Sequence, residues 1–513
     1  MRAEDKTSVK NSVGRMAFVI VSVLFQVAWI LLLILRLNKY SAVISVLSSV
    51  AALIVVLKIY GSNGNSAFKM PWIMLILAFP ILGLSLYLLV GYSGVNAVIK
   101  KRYQELADEF PGSLVQDDAV LEDLEQKNPA VANQARYIWK YGRYPVCRNT
   151  DITYYPEAEL GLAAQKEALA KAEHFIFMEY HAIEDSTAFD GIREILAAKA
   201  KEGVEVRVFY DDVGSVGFIS PEFIRRMEAD GIRCRVFNPL IPLLHVFMNN
   251  RDHRKITVID GKVGFTGGYN LADEYFNLTH PYGQWKDTGV RLEGEAVRNL
   301  TVMFLELWNA IKHTDQDWGK YLKKITYESS ENGFVQPYGD SPLDGEPVGE
   351  NVYMNMVKSA TKYAYFTTPY LIISDEFQRE LGLAAKRGVD VRIVTPGIPD
   401  KKLVYKVTRS YYAGLVRDGV RIYEYTPGFL HAKQCVCDGE TAVCGTINMD
   451  YRSLYLHFEN GVFFTGCRAV QDMKKAFDDL FPVCREVTEQ YRSGRSAAVR
   501  TWQCILRLFA PLM

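Results

Sequence analysis

"HRKITVID" at residues 253–260 places a histidine, a lysine and an aspartate in an otherwise apolar run. The same three residue types recur at the same spacing in "HAKQCVCD" at residues 431–438. Side chains two positions apart on a β-strand point to the same face, so the histidine and lysine of each motif should project together. The aspartate lies an odd number of residues beyond the lysine, and we expect it to be buried and hydrogen-bonded behind that face.

Both motifs belong to a longer internal duplication, which predicts two related domains. Each motif histidine is followed after 17 residues by an asparagine, Asn270 in the first half and Asn448 in the second. Other matched segments keep the same order along the chain: "KEGVEVRVFYDD" (201–212) with "KRGVDVRIVTPG" (386–397), "DGIRCRVFNP" (230–239) with "DGVRIYEYTP" (418–427), and "DTGVRLEG" (287–294) with "ENGVFFTG" (459–466).

From about residue 150, short apolar strands alternate with helical patterns, an order typical of an α/β fold. A chain of 513 residues exceeds one ordinary hydrophobic core, so we expect several units. These are a membrane anchor over 1–100, a first domain over 101–335 and a second over 336–513 that ends in an amphipathic helix. An apolar insertion at 240–250 predicts a substrate-facing loop in the first domain.

Three apolar runs predict transmembrane helices at about 16–36, 41–58 and 71–91, because a bilayer core needs about 20 apolar residues per helix. The second run is short and could instead be a buried core helix, so two or three spans and their orientation stay open. The apolar runs together predict a multi-pass protein of the cell membrane. The basic residues 100–102 follow the third run and favour catalytic domains that face the cytoplasm.

The charge composition argues against nucleic acid as a partner, since 59 basic and 59 acidic residues give a formal net charge of zero. The eight cysteines are scattered and lack the spacing of a zinc site. We therefore expect reduced structural cysteines and no metal.

A pseudo-twofold axis between the halves would place two histidines, His253 and His431, on either side of one cavity. One neutral imidazole can attack the phosphorus of a phosphodiester, while the other, protonated, gives its proton to the leaving alkoxide through a covalent phosphohistidine route. The ammonium groups of Lys255 and Lys433 and the amides of the two asparagines can hold the non-bridging oxygens. These lysines supply the positive charge, so no cofactor is expected.

Two acidic residues occupy matching places in the repeat, Asp287 and Glu459. Each can hydrogen-bond the far ring nitrogen of the histidine in its own half and so fix the tautomer. The two histidines must differ in protonation to act as nucleophile and acid, so their environments should push their pKa values apart.

These residues resemble the phospholipase D superfamily with its paired HxKx4D motifs, and within it the bacterial cardiolipin synthases. The resemblance is carried by residues 249–275 and 428–460, by "YDDVGS" (210–215) and "TTPYLIISDE" (367–376), and by the third apolar run. It implies two phospholipase D-like α/β/α domains with pseudo-twofold symmetry, preceded by transmembrane helices. It also implies that two phosphatidylglycerol molecules, as donor and acceptor, react to give cardiolipin and glycerol.

By the same resemblance His253 is the nucleophile and His431 the acid and then the base, although the sequence itself does not distinguish them. The implied catalytic set is His253, Lys255, Asp260, His431, Lys433 and Asp438. The implied phosphate-binding set is Asn270, Asn448, Gly268 and Thr446. Of the last two only Thr446 has a hydroxyl, so the halves should not be equivalent in catalysis.

Rival functions share much of this chemistry. A phospholipase D-type hydrolase, or a transferase that makes another phospholipid, would use the same residues, because the acceptor alcohol cannot be deduced from the sequence. A nuclease is disfavoured by the apolar runs and the neutral charge, and an inactive membrane scaffold by the intact doubled motif. The expected partners are phosphatidylglycerol and an anionic membrane, and the oligomeric state stays open.

Overall fold

The computed structural model describes residues 42–88, 95–220, 222–239, 250–315, 317–323, 325–492, 496–508 and 510–512, with scattered positions between 21 and 35. The first predicted membrane span, 16–36, is described only at scattered positions, and the apolar insertion at 240–250 lies outside the described residues except for Asn250. All eight cysteines lie within them and are free thiols.

The first repeat forms a seven-stranded mixed sheet in the order β1-β8-β6-β5-β2-β3-β4. The strands β2, β3 and β4 are parallel to one another, and the remaining neighbours pair antiparallel. The motif lysine begins β5, a fully buried strand at the centre of the sheet. The strands are β1 (Thr150–Tyr155), β2 (Phe175–Tyr180), β3 (Glu205–Asp211), β4 (Arg233–Phe237), β5 (Lys255–Ile259), β6 (Val263–Gly267) and β8 (Gly289–Gly294).

The second repeat forms a sheet with the same order and pairings, β9-β18-β16-β15-β10-β12-β13, with β19 added beside β13. The duplication predicted from the sequence is thus a duplication of topology. The strands are β9 (Phe334–Asp340), β10 (Tyr363–Thr367), β12 (Asp390–Pro396), β13 (Arg421–Tyr425), β15 (Gln434–Cys437), β16 (Thr441–Gly445), β18 (Glu459–Thr465) and β19 (Cys484–Glu486).

Helices pack on both sheets, as expected for an α/β fold. Those of the first repeat and the segment before it are α4 (Val95–Glu109), α5 (Asp118–Lys127), α6 (Pro129–Tyr137), α7 (Ala158–Ala170), α8 (Thr187–Lys201), α9 (Phe223–Ala229) and α10 (Val297–Ile311). Those of the second are α11 (Val348–Ser359), α12 (Asp375–Lys386), α13 (Lys402–Arg417), α14 (Tyr451–Tyr455), α15 (Arg468–Leu480), α16 (Thr488–Arg492) and α17 (Ala497–Leu508).

The two repeats form one body with a shared core. The nearly fully buried helix α10 contacts strands of the first sheet and β9 of the second, and one hydrophobic cluster extends across both repeats. Short strands also pair across the repeats: β7 (Gln284–Lys286) of the first runs parallel to β14 (Gly428–Leu430) of the second. Within the second repeat, β11 (Leu371–Ile372) pairs with β17 (Met449–Asp450).

The amino-terminal helices correct part of the membrane prediction. The second predicted span corresponds to α1 (Ala42–Tyr60), but the third is two helices, α2 (Ser66–Ala78) and α3 (Pro80–Leu86). The break falls at Phe79, because the residue before a proline is disfavoured in helical conformation and Pro80 has no N–H to donate. Among the residues that the structure describes, no helix is both long enough and apolar enough to cross a membrane.

The helix α2 docks directly on the second repeat. The ring of Phe68 meets those of Tyr451 and Tyr455 edge-on at 5.6 and 5.7 Å, and the Asn65 amide donates to the Tyr455 hydroxyl at 2.9 Å. Both tyrosines belong to α14, which begins three residues after Asn448. The amino-terminal helices are therefore attached to a segment that borders the candidate site.

Candidate active site

A cavity of 440 Å³ lies between the two repeats and contains the paired polar residues of the motifs. Both motif histidines, His253 and His431, line it, together with Asn270 and Asn448. The histidine side chains are largely buried, so they face the cavity and not open solvent. The structure thus brings together these four residues of the predicted site.

Each histidine is held by a carboxylate from the other repeat. The Nδ1 atom of His253 lies 2.9 and 3.0 Å from the two carboxylate oxygens of Glu459. The Nδ1 atom of His431 lies 2.7 Å from Asp287 Oδ2. Each Nδ1–H donates to its carboxylate, which leaves Nε2 free to react. The sequence-based pairing of each carboxylate with the histidine of its own half was therefore wrong.

Backbone pairing between the repeats explains why each histidine binds the carboxylate of the other repeat. Leu430 of β14 pairs with Lys286 of β7, so the next residues, His431 and Asp287, lie side by side, and the His431 N–H donates to the Lys286 carbonyl at 2.8 Å. The His253 N–H donates to the Phe458 carbonyl at the same distance. Within one sheet, by contrast, β5 and β8 are separated by β6, and two strand spacings amount to about 10 Å.

The two histidine–carboxylate pairs differ in their electrostatics. Burial alone would raise the pKa of Asp287, but its partner His431 and the nearby Lys433 outweigh burial and hold that pKa below its usual value. Burial raises the pKa of Glu459 well above its usual value, although Lys255 acts in the opposite direction. Asp287 therefore favours a protonated partner more strongly than Glu459 does.

The surroundings of both histidines favour the neutral imidazole. Burial is the main cause that lowers the pKa of His253 well below its usual value, and Lys255 lowers it further. Burial and then Lys433 lower the pKa of His431 to about 3, against the opposing effect of Asp287. An anionic phosphodiester between the histidines would raise both pKa values, because opposite charge favours the protonated form.

The motif lysines lie behind the histidines and not at the cavity surface. The Lys255 ammonium donates to the carbonyl of His253 at 2.6 Å, and Lys433 donates to the carbonyl of His431. Burial lowers the pKa of Lys255 to about 8 and that of Lys433 to about 7. Two buried cationic groups of this kind are stabilised by a bound anion.

The asparagines are fixed in different ways. Asn270 Oδ1 accepts the Ala182 N–H at 3.1 Å, and its amide donates to the Tyr275 hydroxyl at 2.8 Å. The amide of Asn448 donates to Asp450, while its Oδ1 is buried and has no partner among the described residues. Each amide therefore keeps one hydrogen for a phosphate oxygen, and the Asn448 oxygen needs a donor.

The motif aspartates do not reach the cavity, which corrects their assignment to the catalytic set. Asp260 and Asp438 follow the far ends of β5 and β15 and are only half-buried. Asp260 accepts the backbone N–H groups of residues 173–175 at 2.7 to 2.8 Å. Asp438 does the same for residues 361–363 at 2.7 to 2.8 Å. Their hydrogen bonding was predicted, and it anchors the start of the neighbouring strand.

Gly268 and Thr446 support the carboxylates and do not line the cavity. A Cβ atom on Gly268 would lie 2.0 Å from Asp287 Oδ1, so only glycine lets this carboxylate occupy its position. The Thr446 hydroxyl donates to Glu459 and accepts the Asn460 N–H at 2.9 Å. These contacts give no support to the prediction that the pair binds phosphate, and the expected inequivalence of the halves in catalysis stays a prediction.

Sequence reasoning missed a basic group around His253. The rings of His181 and His457 lie 4.9 and 5.6 Å from that of His253. Arg452 donates to His457 Nε2 at 3.2 Å, and Arg251 is paired with Asp211. All four line the cavity. A search based on the repeat could not find them, because the matching positions of the other half carry different residue types.

Among the described residues, one group has metal-ligand spacing: the ligand atoms of His253, His457 and Glu459 lie within 4.8 Å of one another. Burial is the main cause that lowers the pKa of His457, and Arg452, Arg251 and Lys255 lower it further. These three cationic side chains raise the electrostatic cost of a metal ion at this place. The surroundings suit an anion better than a divalent cation.

Comparison with known proteins identifies the family of the chain. The family described as "Cardiolipin synthase, PLD-like domain" matches residues 166–308 and 353–481, and "Phospholipase_D-nuclease N-terminal" matches residues 47–91. An uncharacterized protein of Streptococcus mutans is 41% identical over 89% of the chain and 99% of its own length. The cardiolipin synthase of Geobacillus kaustophilus is 33% identical over 93% of the chain and 95% of its own length.

A solved structure shares the fold. The crystal structure of a phosphatidylserine synthase from Haemophilus influenzae superposes with a TM-score of 0.53 and covers 74% of the chain and 97% of its own. At 13% sequence identity this likeness supports the two-domain α/β fold alone.

Proposed function

The chain belongs to the cardiolipin synthase family of phospholipase D-like phosphatidyltransferases, and we propose that it joins two phosphatidylglycerol molecules into cardiolipin and glycerol at the crossed histidine pair. The observation that carries the proposal is the placement of His253 and His431 in one cavity, each oriented by a buried carboxylate. Two such imidazoles match the needs of a double displacement at phosphorus.

In the first step His253 Nε2 attacks the phosphorus of one phosphatidylglycerol. The bond from phosphorus to the glycerol oxygen breaks, and His431 gives its proton to that oxygen. A phosphatidyl group on His253 and free glycerol result. The amides of Asn270 and Asn448 donate to the non-bridging oxygens, and the buried ammonium groups of Lys255 and Lys433 stabilise the negative charge of the transition state from behind the histidines.

In the second step a terminal hydroxyl of another phosphatidylglycerol attacks the same phosphorus. His431, now neutral, takes the hydroxyl proton, and the bond between phosphorus and His253 breaks. Cardiolipin forms, and both histidines return to their starting protonation states. Each step is reversible, because it exchanges one bond to phosphorus for another. The residues invoked supply nucleophile, acid, base and positive charge, and the proposal requires no cofactor.

The assignment of roles rests on the unequal carboxylates. The lowered pKa of Asp287 keeps it ionised, which stabilises a protonated His431 as the acid. Glu459 has a raised pKa, and burial and then Lys255 lower the pKa of His253, which together keep His253 neutral as the nucleophile. This supports the role assignment that resemblance suggested.

A membrane surface is the proposed location of the reaction. Large apolar side chains on α1 and α2 are 47–64% exposed, and a patch of this size on a folded protein marks a contact with lipid or with another protein. The exposed set is Val46, Leu47, Val50, Leu53, Ile54, Leu57, Met70, Met74 and Leu77. We propose that residues 1–100 hold the two catalytic domains, 101–335 and 336–513, at the bilayer that supplies both substrates.

The exposed residues Trp502 and Ile505 on α17 add a second apolar surface at the other end of the chain. The helix α17 packs against α2 and α13, so it lies next to the proposed anchor. We propose that it lies in the interface of an anionic membrane.

The test is a product assay on vesicles of phosphatidylglycerol. The purified protein is expected to release cardiolipin and glycerol in equal amounts, followed by mass spectrometry. His253→Ala and His431→Ala are each expected to abolish both products. His313→Ala, a matched change of an exposed histidine outside the cavity, is expected to keep them.

Two other results would contradict the proposal in different ways. Phosphatidic acid in place of cardiolipin would make water the acceptor and the chain a hydrolase. Product formation that survives both catalytic substitutions would remove the histidines from the reaction.

A further inference from the structure

The pseudo-twofold symmetry is broken systematically around the two histidines. Two residues before each histidine stands Arg251 in the first half and Phe429 in the second. Two residues before each carboxylate stands Trp285 in the first half and His457 in the second. Because the carboxylates cross between the halves, the basic residues meet at His253 and the aromatic residues meet at His431.

The aromatic side is a continuous cluster, hereafter the aromatic lobe. The rings of Tyr275 and Trp285 each lie 5.3 Å from that of His431, and that of Phe429 lies at 5.8 Å. Tyr370 extends the cluster at 6.5 Å from Phe429. All of these residues line the cavity, so this side is mainly apolar. Its charged groups are Asp400 and Lys401, whose ammonium lies 5.5 Å from the centre of the Tyr370 ring.

Two polar groups in the lobe have capacity for a ligand. Trp285 is 5% exposed, and its indole N–H has no hydrogen-bond partner among the described residues. Asp400 also lines the cavity, and its carboxylate accepts from the Tyr370 hydroxyl and from the Lys401 N–H. Each carboxylate oxygen can accept a further hydrogen bond.

We propose that the aromatic lobe is the alcohol subsite of the enzyme, and that it selects a neutral polyol such as glycerol over water and simple alcohols. A polyol has several hydroxyl groups, each of which both donates and accepts, so it can bind the Asp400 carboxylate and the Trp285 N–H. The ring faces cover the carbon chain of the polyol. The inference rests on the proposed phosphatidyl transfer and adds which residues choose the alcohol.

The position of the lobe fits both steps of the reaction. Beside His431, a bound polyol has its oxygen next to the group that gives the proton to the leaving glycerol and later takes one from the entering hydroxyl. The apolar rings also disfavour water at this place. An unpaired buried N–H is costly, so the lobe gains stability when a further hydroxyl of a polyol binds there. Ethanol has a single hydroxyl, and the reaction at phosphorus uses it.

The experiment separates the selection of the acceptor alcohol in the second step from the release of the leaving alcohol in the first step. A short-chain phosphatidyl ester of p-nitrophenol loads His253 without needing the lobe, because p-nitrophenolate leaves without a proton. The phosphatidyl enzyme then partitions between labelled glycerol, ethanol and water, and the products are phosphatidylglycerol, phosphatidylethanol and phosphatidic acid. Their ratio depends only on the acceptor step.

Trp285→Phe keeps the ring and removes the N–H, and Asp400→Asn keeps the shape and removes the charge. Each is expected to lower the preference for glycerol over ethanol and water about three- to tenfold, with the p-nitrophenol burst unchanged. Trp139→Phe, the same change outside the cavity lining, is expected to leave the ratio as it is. A lobe that only supports folding would change the burst and not the ratio.

The proposal is overturned if both lobe variants keep the wild-type product ratio at every glycerol concentration. Failure of the proposed function gives a different result. If the wild type makes no cardiolipin from phosphatidylglycerol but its glycerol preference falls in the two variants, the alcohol subsite stands and only the second lipid is wrong.

Discussion

At the residue scale, the crossed carboxylates decide how the two histidines divide their work. Asp287 and Glu459 stand at equal places in the repeat, yet each serves the histidine of the opposite half. Neither repeat therefore contains a complete histidine–carboxylate pair. This arrangement makes catalysis a property of the joined repeats.

The pairing of each carboxylate with the histidine of the opposite repeat leads to different predictions for Asp287→Asn and Glu459→Gln. Both should lower the rate of cardiolipin formation by about 10²- to 10⁴-fold, since each removes the group that orients a catalytic imidazole. With the p-nitrophenyl ester, Asp287→Asn should keep a burst of p-nitrophenol, because only its acid is impaired. Glu459→Gln should lose the burst, because its nucleophile is misoriented.

The measurement is a stopped-flow burst amplitude per mole of enzyme. Glu202→Gln, a matched change of an exposed carboxylate, serves as the control and should behave as the wild type. The opposite pattern, with the burst lost in Asp287→Asn alone, would mean that each carboxylate serves its own half.

A second residue-scale prediction concerns the motif aspartate Asp438. Burial would raise its pKa, but the N–H groups of residues 361–363 outweigh burial and hold the pKa below its usual value. A depressed folded-state pKa gives stability that is present above about pH 4 and is lost as the pH falls through the folded value. Asp438→Asn should therefore cost about 1–2 kcal/mol of unfolding free energy at neutral pH, after screening by solvent.

Thermal melting across pH checks this, with the difference from wild type shrinking in acid. Activity per folded molecule should stay near the wild-type value. A loss of activity of about 100-fold or more with unchanged melting would return Asp438 to the catalytic set.

At the element scale, the pairing of β7 with β14 holds the site together. These three-residue strands come from different repeats, and each is followed directly by a site residue, Asp287 or His431. The approach is close: a Cβ atom on Gly428 would lie 2.1 Å from the carbonyl oxygen of Gln284. A rigid backbone atom cannot yield as a flexible side chain can, so a larger residue must separate the strands.

Gly428→Ala is accordingly expected to lower kcat by about 100-fold, because a shift of about 1 Å misplaces the acid. The measurement is steady-state kinetics with thermal melting as a check on folding. Gly319→Ala is the matched control, since nothing lies within 4 Å of its Cβ position. Wild-type kinetics in Gly428→Ala would show that the pairing does not position the histidine.

At the scale of the whole molecule, the amino-terminal helices and the cavity are physically connected. The helix α2 contacts α14, and α14 follows Asn448 within the cavity wall. The large apolar side chains of α1 face away from this contact and are exposed. The molecule thus presents an apolar surface next to a site that we propose for lipid substrates.

Charge on that surface should weaken membrane binding. The double variant Leu53→Lys and Leu57→Lys places two ammonium groups on a face that is 54% and 60% exposed, where contact with lipid makes them costly. Flotation with vesicles is expected to recover much less of the variant than of the wild type. Equal recovery would contradict a lipid contact at α1.

Much of the fold and part of the site were predictable from local pattern. Strand periodicity and the ordered repeats predicted two α/β units of equal topology, and the spacing of His253, Lys255 and Asn270 with their counterparts predicted a doubled site. The same reasoning failed where a residue outside the repeating pattern determines the local structure. Pro80 breaks the third apolar run, and the far ends of β5 and β15 carry the aspartates away from the cavity.

The sequence by itself determined the chemistry that this protein has available: one histidine, one lysine and one asparagine in each half of a duplicated α/β fold. Only the tertiary structure decided how they are paired and what surrounds them. The contact of His253 with Glu459 joins positions 206 residues apart, and that of His431 with Asp287 joins positions 144 apart. Periodicity carries information over a strand or a helix, whereas these contacts are set by the packing of one repeat on the other, which also gathers basic residues at one histidine and aromatic residues at the other.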